Sequence, residues 1–171
     1  MNQPISNFDI LDKLHGRTRI IFYEDLNNVS DVNQLLDLGS VVILYKSKPD
    51  YGHWTALLRT PEGIEFFDSY GQTVDEAKNR IDSKFLKKTN QYRNILAELL
   101  YIASISGIPI HYNEHQFQER SKSIATCGKH VVLRILRQDL TTDEYNKLMK
   151  SVSREYNLTP DEIVNIVYSQ L

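Results

Sequence analysis

The sequence predicts an α+β fold with helices packed around one central mixed sheet, on three observations. Strand-length apolar runs and separate helical segments are mixed along the chain. Its 171 residues suit a single core, so residues 1–171 are expected to form one domain. No internal repeat, low-complexity tract or linker interrupts it.

The elements follow in order. Ser6 to Leu14 carries Phe8, Ile10, Leu11 and Leu14 ahead of Gly16 and reads as a short helix. Arg19 to Tyr23 reads as a strand. Ser30 caps a predicted second helix with Val32, Leu35 and Leu36 on one face, stopped at Gly39. Val41 to Tyr45 is an unbroken apolar run of strand length, as expected of a strand inside a sheet. His53 to Arg59 and Ile64 to Asp68 form a hairpin about the turn residues Thr60-Pro61-Glu62-Gly63. Thr73 and Glu76 form a capping box for a helix reaching about Phe85. Asn90 to Ser106 is helical by the spacing of Ile95, Leu96, Leu99, Leu100 and Ile102, with Gly107 behind it. A strand at Ile108 to Tyr112 precedes a polar loop, Asn113 to Thr126, and a buried helix from Cys127 to Arg137. Two last helices each open on a capping box, Thr141 with Glu144 and Thr159 with Glu162, the latter with Pro160 at its first position.

Composition bounds function more by exclusion. A formal charge of −2 gives no global attraction to nucleic acid. No run of 18 apolar residues exists, so no membrane contact is expected, and Met1 to Asp12 lack the basic-then-apolar pattern of a secretory signal. The single cysteine, Cys127, can neither close an internal disulfide nor complete a four-cysteine zinc site. A lone cysteine is most often a small buried hydrophobe. Its surroundings argue for more.

His53 opens one strand of the predicted hairpin and Asp68 closes the other, so both fall at the same end, where a carboxylate holds an imidazole. Cys127 lies where a polar loop enters an apolar helix, and the positive end of a helix dipole there favours a thiolate. Spacing alone leaves a reactive triad and a chance grouping equally open.

His53-Trp54, then Phe66-Phe67-Asp68-Ser69-Tyr70-Gly71, then Gln118 ahead of Thr126-Cys127-Gly128 resemble the adenovirus protease (adenain) and the ubiquitin-like-protein protease clan. The similarity spans roughly Val41 to Leu136, and Tyr51-Gly52-His53-Trp54 with the compact length is most like maturation proteases of virophage or Polinton type. The resemblance implies a papain-like architecture with the nucleophile at a helix N-terminus. It implies Cys127 as nucleophile, His53 as base, Asp68 as its orienting acid and a glutamine as oxyanion donor, beside the Cys N–H. Gln118 lies nine positions before Cys127, a longer gap than the family pattern, and Gln116 is nearby; Gln118 is preferred because it follows the apolar Phe117. Trp54 reads either as a half-buried strand aromatic or, by the resemblance, as the roof of a narrow cleft that, with Gly128, favours a small residue or Gly at the cut bond.

The implied activity is cysteine endopeptidase action on viral capsid precursors, in infected host-cell cytoplasm or the virion, without a cofactor. Removal of ubiquitin-like tags, acetyl transfer on the same fold and a non-enzymatic binding module are the alternatives. The resemblance leaves open an activating peptide and a weak DNA contact, the latter at Lys84, Lys87, Lys88 and Arg93, otherwise a solvated face. A metal site is disfavoured: His111 and His115 do not share a helix, and a metal on Cys127 and His130 would block the thiol. Packing or surface roles are expected for these histidines and for His15.

Overall fold

Alternation of side chains along two strands sorts this chain into two cores. In the computed structural model, which describes residues 3–171, β2 (Ser40–Lys48) and β3 (Tyr51–Thr60) lie side by side in a five-stranded sheet. Val42, Leu44, Trp54, Ala56 and Leu58 point to one face, and Val41, Ile43, Tyr45 and Leu57 to the other. Both faces are covered, so the apolar run at Val41–Tyr45 is unbroken rather than alternating.

The sheet order follows the chain, β1 (Arg19–Phe22), β2, β3, β4 (Gly63–Phe67) and β5 (Ile110–Tyr112). The outer pairs, β1–β2 and β4–β5, are parallel, and β2–β3 and β3–β4 are antiparallel, which makes the sheet mixed. On one face pack α1 (Asn7–Leu14), α4 (Cys127–Leu136), α5 (Thr142–Tyr156) and α6 (Pro160–Ser169), through Ile10, Leu14, Val131, Val132, Ile135, Tyr145, Met149, Ile163 and Val164. The other face is covered by α3 (Ile95–Ile105) and by the turns that carry Tyr23, Leu26, Val32, Leu35 and Leu36. The capping boxes at Thr141 and Thr159 both form.

Two predicted helices are not formed as read. The segment after Ser30 makes only a 3-10 turn, Val32–Gln34, capped by Asp31 rather than Ser30. One turn suffices to bury Val32, Leu35 and Leu36, and a nine-residue helix gains little once nucleation is counted. At Thr73, Glu76 Oε2 does accept the backbone N–H at 2.9 Å, yet no long helix follows. Asp75 takes a left-handed φ of 64° because its carboxylate is drawn to the Tyr45 hydroxyl (3.0 Å) and the Ala97 N–H (3.0 Å). A 3-10 turn, Glu76–Arg80, results, and α2 (Ser83–Lys88) starts afresh on an Asp82 cap. Helix α3 begins at Ile95, five residues later than Asn90, because Gln91 is spent on both backbone groups of Lys46 in β2.

One polar contact crosses the helix-covered core. Arg134 of α4 donates through Nε to Glu65 Oε2 at 2.8 Å; both side chains are fully buried. The guanidinium also donates to the carbonyls of Arg137 (2.7 Å) and Leu140 (3.0 Å) and lies 4.7 Å from the centre of the Tyr145 ring. Removing one partner strands the other charge in a dry core. Glu65→Gln and Arg134→Met are each expected to cost about 3–5 kcal/mol in urea unfolding, and the double variant Glu65→Leu/Arg134→Met less than either. Losses that simply add would show that the two side chains do not act as a pair.

Candidate active site

The hairpin β3–β4 positions the first two side chains. Its register pairs Ala56 with Phe67, which brings the residue after β4, Asp68, to the end of the hairpin where β3 begins. His53 Nε2 meets Asp68 Oδ1 at 2.9 Å, and the carboxylate is almost wholly buried. Asp68 is fixed from three directions. The Tyr70 N–H donates to Oδ1 at 2.8 Å, the Asp68 N–H donates to Asn113 Oδ1 at 3.2 Å, and Asn113 Nδ2 donates to the Asp68 carbonyl at 2.8 Å. The Tyr70 ring stacks on the imidazole at 4.9 Å and 22°. His53 is thereby held at one edge and one face.

Helix α4 supplies the thiol. Cys127 is its first residue, with Thr126 at the N-cap, so the helix begins where the apolar run does. The thiol lies in the same hollow as His53, close enough to feel its charge, and since Asp68 engages the imidazole through Nε2, Nδ1 is the nitrogen left for sulfur. Burial alone would push the thiol up, but the hydrogen bond and charge of His53 and backbone groups of Trp54 and Gly128 outweigh it and hold it below its ordinary value. Burial pushes His53 down, and the charge and hydrogen bond of Asp68, with Cys127 adding to them, reverse this and raise it to about 10. The two opposite displacements both favour proton transfer from the thiol to the imidazole.

Gln118 lines the same hollow as His53 and Cys127. Its N–H donates to the Ser69 carbonyl at 2.9 Å, and the Ser69 hydroxyl donates to its Oε1 at 2.6 Å. With the amide oxygen taken, the Nε2 donors are the part left for the hollow. Gln116 sits elsewhere, with Nε2 on the Gln118 carbonyl at 2.9 Å and its side chain in a separate groove beside His115, Met149 and Lys150. The turn Ser69–Gly71 and the loop segment 115–118 approach closely enough that a Cβ on Gly71, whose φ is 75°, would lie 2.8 Å from the His115 carbonyl carbon.

A second hollow opens on the other side of Cys127, lined by Ile5, Phe22, Leu44, Tyr51, Gly52 and Trp54. Trp54 is buried and donates its indole N–H to the Ile5 carbonyl at 3.2 Å. A Cβ on Gly128 would lie 2.5 Å from Ile5 Cγ1 and 3.1 Å from Trp54 Cδ1, so glycine lets these three residues meet beside the thiol. Together the two hollows make one cleft with Cys127 at its middle.

All six residues singled out in the sequence, Cys127, His53, Asp68, Gln118, Trp54 and Gly128, thus come together around one cleft. Sequence reasoning missed Tyr70, Asn113, Ser69 and Ile5. The first and third lie inside the Phe66–Gly71 stretch, whose neighbourhood is the signal for them; Asn113 and Ile5 act only through tertiary contact. The remaining histidines have packing or surface contacts: His130 is fully buried with Nε2 2.9 Å from Asp161 Oδ1, His115 lies edge-on to Phe117, and His111 is near the Glu62 carbonyl at 3.4 Å. Among the described residues no three His, Cys, Asp or Glu side chains gather as a metal site requires, and no helix is long and apolar enough to cross a membrane. In the cationic cluster, Lys87 lies over the Tyr92 ring and Arg93 pairs with Glu98 at 3.3 Å.

Compared with known proteins, the chain is 36% identical over 165 residues to uncharacterized protein V9 of Sputnik virophage, spanning 95% of this chain and 93% of that protein. The chain belongs to the family of virophage protein V9. No protein-family model matches it.

The electrostatics make a measurable demand on the thiol. Iodoacetamide reacts with the thiolate, so the pH–rate profile for alkylation of Cys127 should have its midpoint below that of an ordinary thiol. Asp68→Asn removes the charge that raises His53; His53 then loses its proton more readily, the thiolate loses its counter-ion, and the thiol moves back up. The midpoint of the alkylation profile should therefore move up in Asp68→Asn, with slower reaction on its acid side. An unchanged pH–rate profile in Asp68→Asn would refute the coupling.

Proposed function

We propose that this chain is a cysteine endopeptidase of papain-like architecture, in the adenain and ubiquitin-like-protein protease clan, that cuts viral capsid precursors next to a small residue or Gly. One observation carries the reading. A thiol at a helix N-terminus contacts an imidazole that is bonded to a buried carboxylate at 2.9 Å, with a glutamine amide in the same cleft.

In this reading Cys127 Sγ attacks the scissile carbonyl carbon, and the electron pair of the C=O bond moves to oxygen. Gln118 Nε2 and the Cys127 backbone N–H hold that oxyanion. His53 passes its proton to the leaving amine as the C–N bond breaks, which leaves a thioester on Cys127. It then takes a proton from water as the hydroxide adds to the thioester carbon; the C–S bond breaks, the carboxylic acid departs, and the thiolate is left beside the protonated imidazole as at the start. Asp68 keeps the ring oriented and stabilises the imidazolium throughout. The meeting of Trp54, Ile5 and Gly128 narrows the wall beside the thiol, which supports a small residue at the cut. Membership of a virophage family supports a viral structural substrate and a site of action in infected host-cell cytoplasm or the virion.

The test is incubation with a capsid precursor, a ubiquitin-like fusion and acetyl-CoA side by side, with N-terminal sequencing of any product. Cleavage of the precursor, lost in a folded Cys127→Ala variant, supports the reading; cleavage of the fusion alone or acetylation replaces it with the corresponding alternative. His53→Ala should be as damaging as Cys127→Ala, because members of the triad act as a unit. Gln118→Ala should lower kcat by about 2.7–4 kcal/mol of transition-state stabilisation with KM little changed, while Gln116→Ala stays near wild type. The opposite ranking of the two glutamines would assign the oxyanion to the wrong hollow.

A further inference from the structure

The eight residues between Gln118 and Cys127 form no helix or strand, yet both ends must be placed to within a fraction of an ångström if an amide and a backbone N–H are to meet one oxyanion. Internal bonds are few: Ser121 N–H to the Glu119 carbonyl at 3.1 Å, Ile124 N–H to the Ser121 carbonyl at 3.2 Å, and contacts among Ser121 and Ser123. These shape the middle of the loop and fix neither end.

Asp161 reaches both ends. Its Oδ2 accepts the Glu119 N–H at 2.9 Å, one residue after Gln118. Its Oδ1 accepts the Thr126 hydroxyl at 2.5 Å, one residue before Cys127, and His130 Nε2 at 2.9 Å, one turn into α4. The side chain is buried, at 2% exposure. Three donors outweigh the effect of burial and hold the carboxyl below its ordinary range, so it is ionised at neutral pH. Asp161 is not needed as a helix cap. Thr159 and Glu162 close the capping box of α6 between them, and the Asp161 carboxylate is turned away from its own helix onto the loop.

We propose that Asp161 is a positioning residue that sets the separation of Gln118 and Cys127, and through it the strength of oxyanion binding. The proposal rests on the protease reading above. On the opposite side Ser69 holds Gln118 by backbone and side chain, so the glutamine is gripped between two anchors, and Asp161 is the one that also grips the nucleophile's helix. Thr126, the immediate neighbour of Cys127, is fully buried with its hydroxyl committed to this carboxylate.

The test separates positioning from reactivity. Asp161→Asn keeps the shape and one acceptor oxygen but turns an NH2 toward a donor. It should lower kcat by about 10–100-fold, part of the loss of a full oxyanion donor, with KM changed by less than about twofold. Alkylation of Cys127 by iodoacetamide develops no oxyanion, so its rate should stay within about twofold of wild type. In a Gln118→Ala background, the same Asp161→Asn change should cost less than about threefold in kcat, since it acts through the missing amide. Equal losses in kcat and alkylation, or full additivity with Gln118→Ala, would overturn the proposal. Thr126→Val, which removes one of the three donors, serves if Asp161→Asn does not fold, with Thr126→Ser expected to retain wild-type kcat. Amide hydrogen exchange over residues 119–126 reads the clamp without any activity. Faster exchange in Asp161→Asn is expected, and unchanged exchange would overturn the proposal even if no peptide substrate were cut. Wild-type protein that cuts no substrate, with exchange faster in the variant, would instead count against the protease reading alone.

Discussion

The buried pair of Arg134 and Glu65 fixes how helix α4 lies on the sheet, and the geometry of the cleft follows from that. Glu65 stands in β4 three residues before Asp68, and Arg134 stands two turns along α4 from Cys127. One hairpin and one helix are therefore joined at two points, by an ion pair in the core and by the thiol–imidazole contact at the cleft. A helix packed on a sheet by apolar contacts alone can roll or slide at modest cost, because such contacts are non-directional. A guanidinium with four directed acceptor contacts, two of them to one carboxylate, cannot. A buried ion pair of this kind contributes little net stability against a well-packed apolar replacement. Its contribution here is register: it holds the helix N-terminus opposite the start of β3.

Around the cleft the same logic is carried further, with polar groups that are buried and mutually satisfied. Asp68, Ser69, Asn113, Gln118, Thr126, His130 and Asp161 are all nearly inaccessible to solvent, and nearly all of their polar atoms are matched within the network. Each would cost free energy if left unpaired, so the network is rigid by necessity. Besides Gln118 Nε2, left toward the cleft, His130 Nδ1 is a buried nitrogen with no partner, in keeping with a histidine that burial pushes toward the neutral form although Asp161 draws it the other way. Apart from His53 and Cys127, which are left free to exchange a proton, the charges are locked.

The parts legible in the sequence are those in which local pattern and final contact coincide. The hairpin from His53 to Asp68 could be read because turn residues and apolar runs set its register, and the register alone brings the two ends together. Cys127 at the start of α4 could be read from the change from polar loop to apolar run. The helices after Ser30 and Thr73 could not, because tertiary demand overrode their signals: Asp75 gives up helical φ to satisfy Tyr45 and Ala97, residues 30 and 22 positions away. The choice of Gln118 over Gln116 was beyond alternation, because an extended segment would turn residues 116 and 118 the same way; the fold instead sends them into different hollows, with Gln118 held by Ser69. Asp161 gives no local sign at all, because its sequence context is that of an ordinary acidic residue in the first turn of a capped helix.

Why the thiol is drawn below its ordinary value here follows from comparing the opposing effects. Desolvation is the largest single influence on both Cys127 and His53, and acting alone it would leave a neutral thiol beside a neutral imidazole. The same loss of water strengthens every charge interaction that remains, because the effective dielectric falls around the pair. Asp68 lies within hydrogen-bond distance of His53 and is itself held by the Tyr70 N–H, so its negative charge stays in place as the imidazole gains a proton. The thiolate then gains the imidazolium, the first turn of α4 and nearby backbone groups at once. Burial and charge separation, which oppose each other for a single group, favour the ion pair when the third charge is fixed in advance. Trp54, Ile5 and Gly128 crowd one side of the site and Tyr70 covers the imidazole on the other, which sustains that burial.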